Sequence, residues 1–173
     1  MLIKKLGHVL LRTADLDRSR DFYSSILGMR IMEDDPDHPE VCTFMTLGED
    51  FHNLDLARHP DPENAQKPRE DHIGLVHIAF LMESWDAMRQ MYQLLQDRNV
   101  KILSASDHVN QRSMYVKDPD GNVLEFYYEI PDAVHIFAQG RDDHDENLPV
   151  TQPGEPLPGW LVKDWPPVPP AQT

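Results

Sequence analysis

Cysteine is nearly absent from this sequence, and the single one, Cys42, cannot close an internal disulfide. A lone thiol fits a reducing compartment and a packing role. Basic residues are scarce as well: 16 Lys and Arg stand against 30 Asp and Glu, for a formal net charge of −14. That balance argues against nucleic acid or an anionic membrane as partner, since both require a basic face. No apolar run approaches transmembrane length, and the start lacks the basic, apolar and small-residue regions of a signal peptide. A soluble cytoplasmic protein is the expectation.

What is present suits a globular fold. The 173 residues, 40% hydrophobic and 27% charged, suffice for one domain or two small modules with a real core. LGHVLLRT, residues 6–13, reads as a strand. LDRSRDFYSSILG follows as an amphipathic helix with Leu16, Tyr23, Ile26 and Leu27 on one side, an aspartate at its start and Gly28 at its end. MRIMED, EVCTFMTLG and DFHNLDLAR are strand candidates, and the proline-bearing stretch 58–72 reads as a linker. The order then repeats: LVHIAFLM is a strand, and SWDAMRQMYQLLQDRN a helix capped by Ser84 with Trp85, Met88, Met91, Tyr92 and Leu95 facing inward. VKILSA, RSMYVKD and NVLEFYYE follow as strands.

The pattern is βαβββ twice, over about residues 4–57 and 73–130. A shift of 69 positions lays His8 on His77, Leu11 on Phe80 and Tyr23 on Tyr92, so duplication is the natural explanation. Residues 131–173 form a tail, first acidic and unlikely to pack, then rich in proline. It cannot hold regular structure, but Trp160, Leu161 and Trp165 give it adhesive points on this subunit or a partner.

In the last strand one residue is out of place. DPDG, with Pro119 presetting φ and Gly121 taking the left-handed position, turns the chain into Val123-Leu124-Glu125-Phe126-Tyr127. A carboxylate in such a strand is costly unless it is paired, hydrogen-bonded or bound to a metal. His8 and His77 hold matching positions on the first strand of each repeat, and two such strands side by side would present both imidazoles to one cleft. With Glu125 they make the two-histidine, one-carboxylate set of a non-haem Fe(II) site with open positions. Taken singly, each histidine is more simply a hydrogen-bonded core residue, and Glu125 a partner for Arg12 or Arg112.

The stretches GHVLLRTADLDRSRDFYSSILGMRI, LVHIAFLM and DHVNQRSMYVKDPDGNVLEFYYE resemble the vicinal oxygen chelate superfamily: glyoxalase I, fosfomycin-resistance enzymes, methylmalonyl-CoA epimerase and type I extradiol dioxygenases. The resemblance implies an α+β fold of two βαβββ modules in a partly closed mixed β-barrel around a metal cleft. It also implies metal ligands at His8, His77 and Glu125. FHNLDL looks like the HHxxAL-type stretch of extradiol dioxygenases and implies His52 as the acid–base residue, although Phe51 stands where a first histidine is common and Asp55 replaces alanine. DHVNQRSMY resembles the segment bearing their second histidine and tyrosine, here His108 and Tyr115, at an interval like that of single-module relatives. Arg112, Asn110 and Tyr127 are further candidates for the pocket lining.

The activity so implied is cleavage of a small catechol beside its two hydroxyls, with both atoms of O2 incorporated. Leu10 occupies the position of an asparagine in homoprotocatechuate-type members, which leaves room for an apolar or bicyclic ring. The other classes compatible with the triad are a lyase, epimerase or thiol transferase using Mn, Ni, Co or Zn, and a non-enzymic small-molecule binder. Glyoxalase-type chemistry typically adds carboxylates around the metal, and Asp55 is the first module's one candidate. A homodimer or larger homo-oligomer is expected.

Overall fold

The computed structural model describes residues 2–48, 50–71, 73–141 and 144–166. Two compact units emerge, residues 1–72 with 118–122, and residues 73–117 with 123–173. In the first, β1 (Val9–Thr13), α1 (Leu16–Leu27), β2 (Arg30–Asp34), β3 (Cys42–Thr46) and β4 (Leu54–Arg58) give a four-stranded sheet of order β1-β4-β3-β2. In the second, β5 (Ile78–Leu81), α2 (Trp85–Asp97), β6 (Ile102–Asp107), β7 (Gln111–Lys117) and β8 (Val123–Glu129) repeat that arrangement. A ninth strand, β9 (Glu146–Leu148), extends the second sheet to β5-β8-β7-β6-β9. The twofold βαβββ pattern is therefore present. Neither sheet closes into a barrel; each is open.

The helices form where the apolar spacing places them. Asp15 caps α1 by accepting from Arg18 N, and Gly28 ends it at φ 69°. Leu16, Tyr23 and Ile26 are buried beneath it, while Leu27 is only half-buried. Ser84 caps α2 through Ala87 N, and Trp85, Met88, Tyr92 and Leu95 are buried. Gln96 joins them because its amide donates to Thr151 and Gln152 of the tail. No described helix is long and apolar enough to cross a membrane.

In both repeats the first strand runs parallel to the last, β1 to β4 and β5 to β8, and the register sets up the site. Leu10 lies opposite Asp55 in the first unit, and Ala79 opposite Glu125 in the second. Each carboxylate thus sits across from the residue two places beyond the repeat's histidine, on the side of the sheet that strand alternation assigns to it. The strands are shorter than the apolar runs. β1 begins at Val9, not Leu6, because its ladder starts where Asn53 ends the preceding turn: Val9 N–H donates to Asn53 O at 3.0 Å. His8, His77 and His52 consequently precede strands instead of lying within them.

The tail departs from expectation. Residues 146–148 of its acidic stretch pack: β9 pairs antiparallel with β6, opposing Ala105 to Leu148, Ser106 to Asn147 and Asp107 to Glu146. Residues 159–162 form a helical turn, α3 (Gly159–Val162), with Trp160 and Leu161 buried. Polar staples explain why so proline-rich a segment is ordered. Arg89 donates to Leu161 O at 2.7 Å, the Trp85 indole to Lys163 O at 2.8 Å, and the Trp160 indole to Pro149 O at 2.8 Å. Backbone that cannot pair with itself is satisfied by side chains of the same unit.

Candidate functional site

In the second unit the out-of-place carboxylate is buried, Glu125 being only 4% exposed. Its Oε2 lies 3.0 Å from His77 Nε2. Its Oε1 accepts from the Tyr115 hydroxyl at 3.0 Å and from the Gln111 amide at 3.3 Å. The strand ladder makes this local geometry, since Tyr115 on β7 is the direct register partner of Glu125 on β8. Arg112, one candidate partner for Glu125, binds Asp107 at 2.7 Å and lies over the Trp165 ring at 4.8 Å. It is thereby turned to the tail, not to a pocket.

The chain of contacts continues outward. His108 Nε2 is 3.0 Å from the Tyr115 hydroxyl, and His108 Nδ1 is 2.9 Å from Asp145 Oδ2. Burial first, and Glu125 second, push the Tyr115 phenol up to about 12, so the ring is a protonated donor at neutral pH. His108 sits in the tight turn between β6 and β7, where Val109 takes φ 70°. The sequence placed His108 and Tyr115 correctly in a turn and a strand; their contact with each other and with Glu125 comes from the hairpin register.

The first unit presents its own cluster. His52 Nδ1 is 2.7 Å from Asp55 Oδ1, His8 Nε2 is 3.6 Å from Asp55 Oδ2, and the His8 and His52 rings stack with centroids 4.4 Å apart. Phe44 and Phe51 meet the His52 ring edge-on, at 5.6 and 6.0 Å. Ligand atoms of His8, His52 and Asp55 lie within 4.8 Å of one another, which makes a possible cation-binding group. Asp55, 4% exposed, is the first unit's counterpart of Glu125. The sequence marks Asp55 as a departure from a motif and as the first module's one candidate metal carboxylate, but not as the counterpart of Glu125. A comparison of the two repeats with one added residue before the last strand exposes the equivalence. Asp145 was missed altogether, since an aspartate in an acidic stretch carries no signal of its own.

Residues 5–126 match the family model described as Glyoxalase/Bleomycin resistance protein/Dioxygenase superfamily. The chain is 26% identical over 141 residues to biphenyl-2,3-diol 1,2-dioxygenase 2 of Rhodococcus globerulus, across 80% of this chain and 71% of that protein. It is 30% identical over 130 residues to the metallothiol transferase FosB of Lysinibacillus sphaericus, across 73% of this chain and 84% of that protein. Among solved structures, a glyoxalase/dioxygenase from Nostoc punctiforme shares the fold with a TM-score of 0.61 at 21% identity, covering 73% of this chain and 92% of that one.

Proposed function

The chain belongs to the glyoxalase/bleomycin resistance protein/dioxygenase superfamily, and on that premise we propose that it is an Fe(II)-dependent extradiol dioxygenase opening the ring of a catechol-type substrate with O2. The observation that carries this is the His77–Glu125–Tyr115–His108 chain of the second unit, in which a buried carboxylate meets an imidazole at 3.0 Å and is backed by a phenol and a second histidine. One hard oxygen and one imidazole nitrogen at that separation suit a divalent cation. His77 and Glu125 are the assigned ligands of the second unit, while His8, the third ligand expected from the sequence, stands with His52 and Asp55 in the first. Bound there, Fe(II) would leave positions open for a chelating catecholate and for O2.

The remaining residues handle protons. Asp55 accepts from His52 Nδ1, which leaves Nε2 to take the substrate hydroxyl's proton and later return it. Tyr115 and His108 hydrogen-bond the substrate oxygens. The assay is O2 uptake by anaerobically Fe(II)-reconstituted protein over a catechol panel that includes 2,3-dihydroxybiphenyl. Stoichiometric uptake with a yellow ring-fission product is expected; silence across the panel with iron bound would sink the proposal.

One observation favours a second reading. The buried Asp55 beside His8 adds a carboxylate on the first unit, a donor set suited to a lyase, epimerase or thiol transferase with Mn, Ni, Co or Zn. In that case Asp55→Ala would weaken metal binding. Under the dioxygenase reading it would leave metal content intact and slow turnover through His52.

A further inference from the structure

Asp145 lies beyond the residues that match the family model, on the tail rather than on either repeat. The register of β9 on β6 opposes Glu146 to Asp107, so the next pair along the ladder is Asp145 and His108. The carboxylate's two oxygens are both engaged, Oδ2 with His108 Nδ1 at 2.9 Å and Oδ1 with Arg141 Nη1 at 3.0 Å. Arg141 Nη1 also donates to the His108 carbonyl at 2.5 Å, so the tail grips this residue by backbone and ring together. His108 needs such support, because the turn that bears it forces the β-branched Val109 to positive φ. The hydrogen bond from His108, with Arg141 beside it, holds the Asp145 carboxyl below the usual carboxylate range, so it is an ionised acceptor at neutral pH.

An ionised carboxylate can only accept. The hydrogen on His108 Nδ1 is therefore fixed, and any proton the ring gains or gives must pass through Nε2, the atom 3.0 Å from the Tyr115 hydroxyl. With Nε2–H present, the ring donates to Tyr115 while Tyr115 donates to Glu125. With Nε2 bare, Tyr115 can turn its hydrogen to His108 and release Glu125 Oε1. We propose that Asp145 is a positioning residue which sets the His108 tautomer and aims Nε2 at Tyr115, so that the C-terminal tail is part of the site. The tautomer holds for the chain as it stands; its bearing on turnover rests on the dioxygenase reading.

The test begins without iron or catechol. In full-length protein labelled with 15N-histidine at mildly alkaline pH, the His108 ring signals are identified by their loss in His108→Gln. Wild type should show the Nδ1–H tautomer, and Asp145→Ala the Nε2–H tautomer that dominates free histidine. Asp145→Asn keeps a carbonyl acceptor and should restore the wild-type pattern. Identical His108 shifts in wild type and Asp145→Ala would overturn the proposal. In the iron-loaded enzyme, Asp145→Ala should lower kcat roughly 10-fold, with catechol KM little changed and Asp145→Asn partly restoring it. An unchanged kcat would remove the tail from catalysis. A wild type inert to every catechol would overturn the dioxygenase reading alone, with the tautomer measurement still deciding on Asp145.

Discussion

Two buried carboxylates, Glu125 and Asp55, lie on the last strands of the two repeats, Glu125 beside one imidazole and Asp55 beside two. An unpaired buried charge costs several kcal/mol, and here the cost is offset by the imidazole partners of each carboxylate and by the Tyr115 hydroxyl on Glu125. Glu125→Ala and His77→Ala are expected to abolish stoichiometric metal uptake, read by elemental analysis after reconstitution; a full metal complement in either would displace the assigned ligands. His52→Ala should keep iron and catechol binding while turnover falls by about 100-fold. Normal turnover would show that another group moves the proton. At this scale the sequence was informative about residue types. His8, His77 and Glu125 stood out by repeat position and chemical cost, whereas the hydrogen-bond order through Tyr115 and His108 depended on which residues the β7–β8 and β6–β7 ladders set opposite.

The turn that feeds β8 shows the same economy in an element. Asp118 Oδ1 accepts from Asp120 N at 2.9 Å and Asn122 N at 2.8 Å, and Gly121 takes φ 94° to complete the reversal. Its other oxygen, Oδ2, accepts from the Tyr23 hydroxyl of α1 at 2.9 Å, while Asp120 accepts from Thr13 and Ser19. Burial first, then Asp118, raise the Tyr23 phenol well above its ordinary value. A raised acid of this kind contributes fully below its unfolded pKa, ~10 for tyrosine, and the contribution is lost as pH rises through the folded value. Unfolding should therefore become easier above about pH 10, and Tyr23→Phe should flatten that dependence. At neutral pH Tyr23→Phe should cost only about 1 kcal/mol in urea unfolding, because Asp118 Oδ2 keeps its bond from Asn122 Nδ2. A loss several times larger would mean that the hydroxyl also supports packing.

For the molecule as a whole, the tail is the feature that composition misjudges. Trp160, Leu161 and Trp165 are buried, and Trp85 stands within 6 Å of both other indoles. At about 1.5–3 kcal/mol for each large side chain buried, their loss is a large fraction of a domain's stability. Truncation after Pro131 is expected to lower Tm by about 10 °C or more, read by calorimetry. An unchanged Tm would show that the tail adds nothing to the fold. The same truncation, read by light scattering, tests whether the tail contributes to the expected homo-oligomer. Light scattering of the intact chain at monomer mass would count against it.

The sequence by itself determined the βαβββ repeat, both long helices with their caps, the DPDG turn and the oddity of Glu125. Each of these is a local matter of periodicity, capping and turn chemistry, or of a charge where a strand wants none. Only the tertiary structure decided that Tyr115 and His108 line up behind Glu125, that the acidic stretch supplies an edge strand, and that Asp145 reaches His108. Those facts depend on register between paired segments of the chain. No single segment carries the information, because a strand's partner is chosen by what the partner buries.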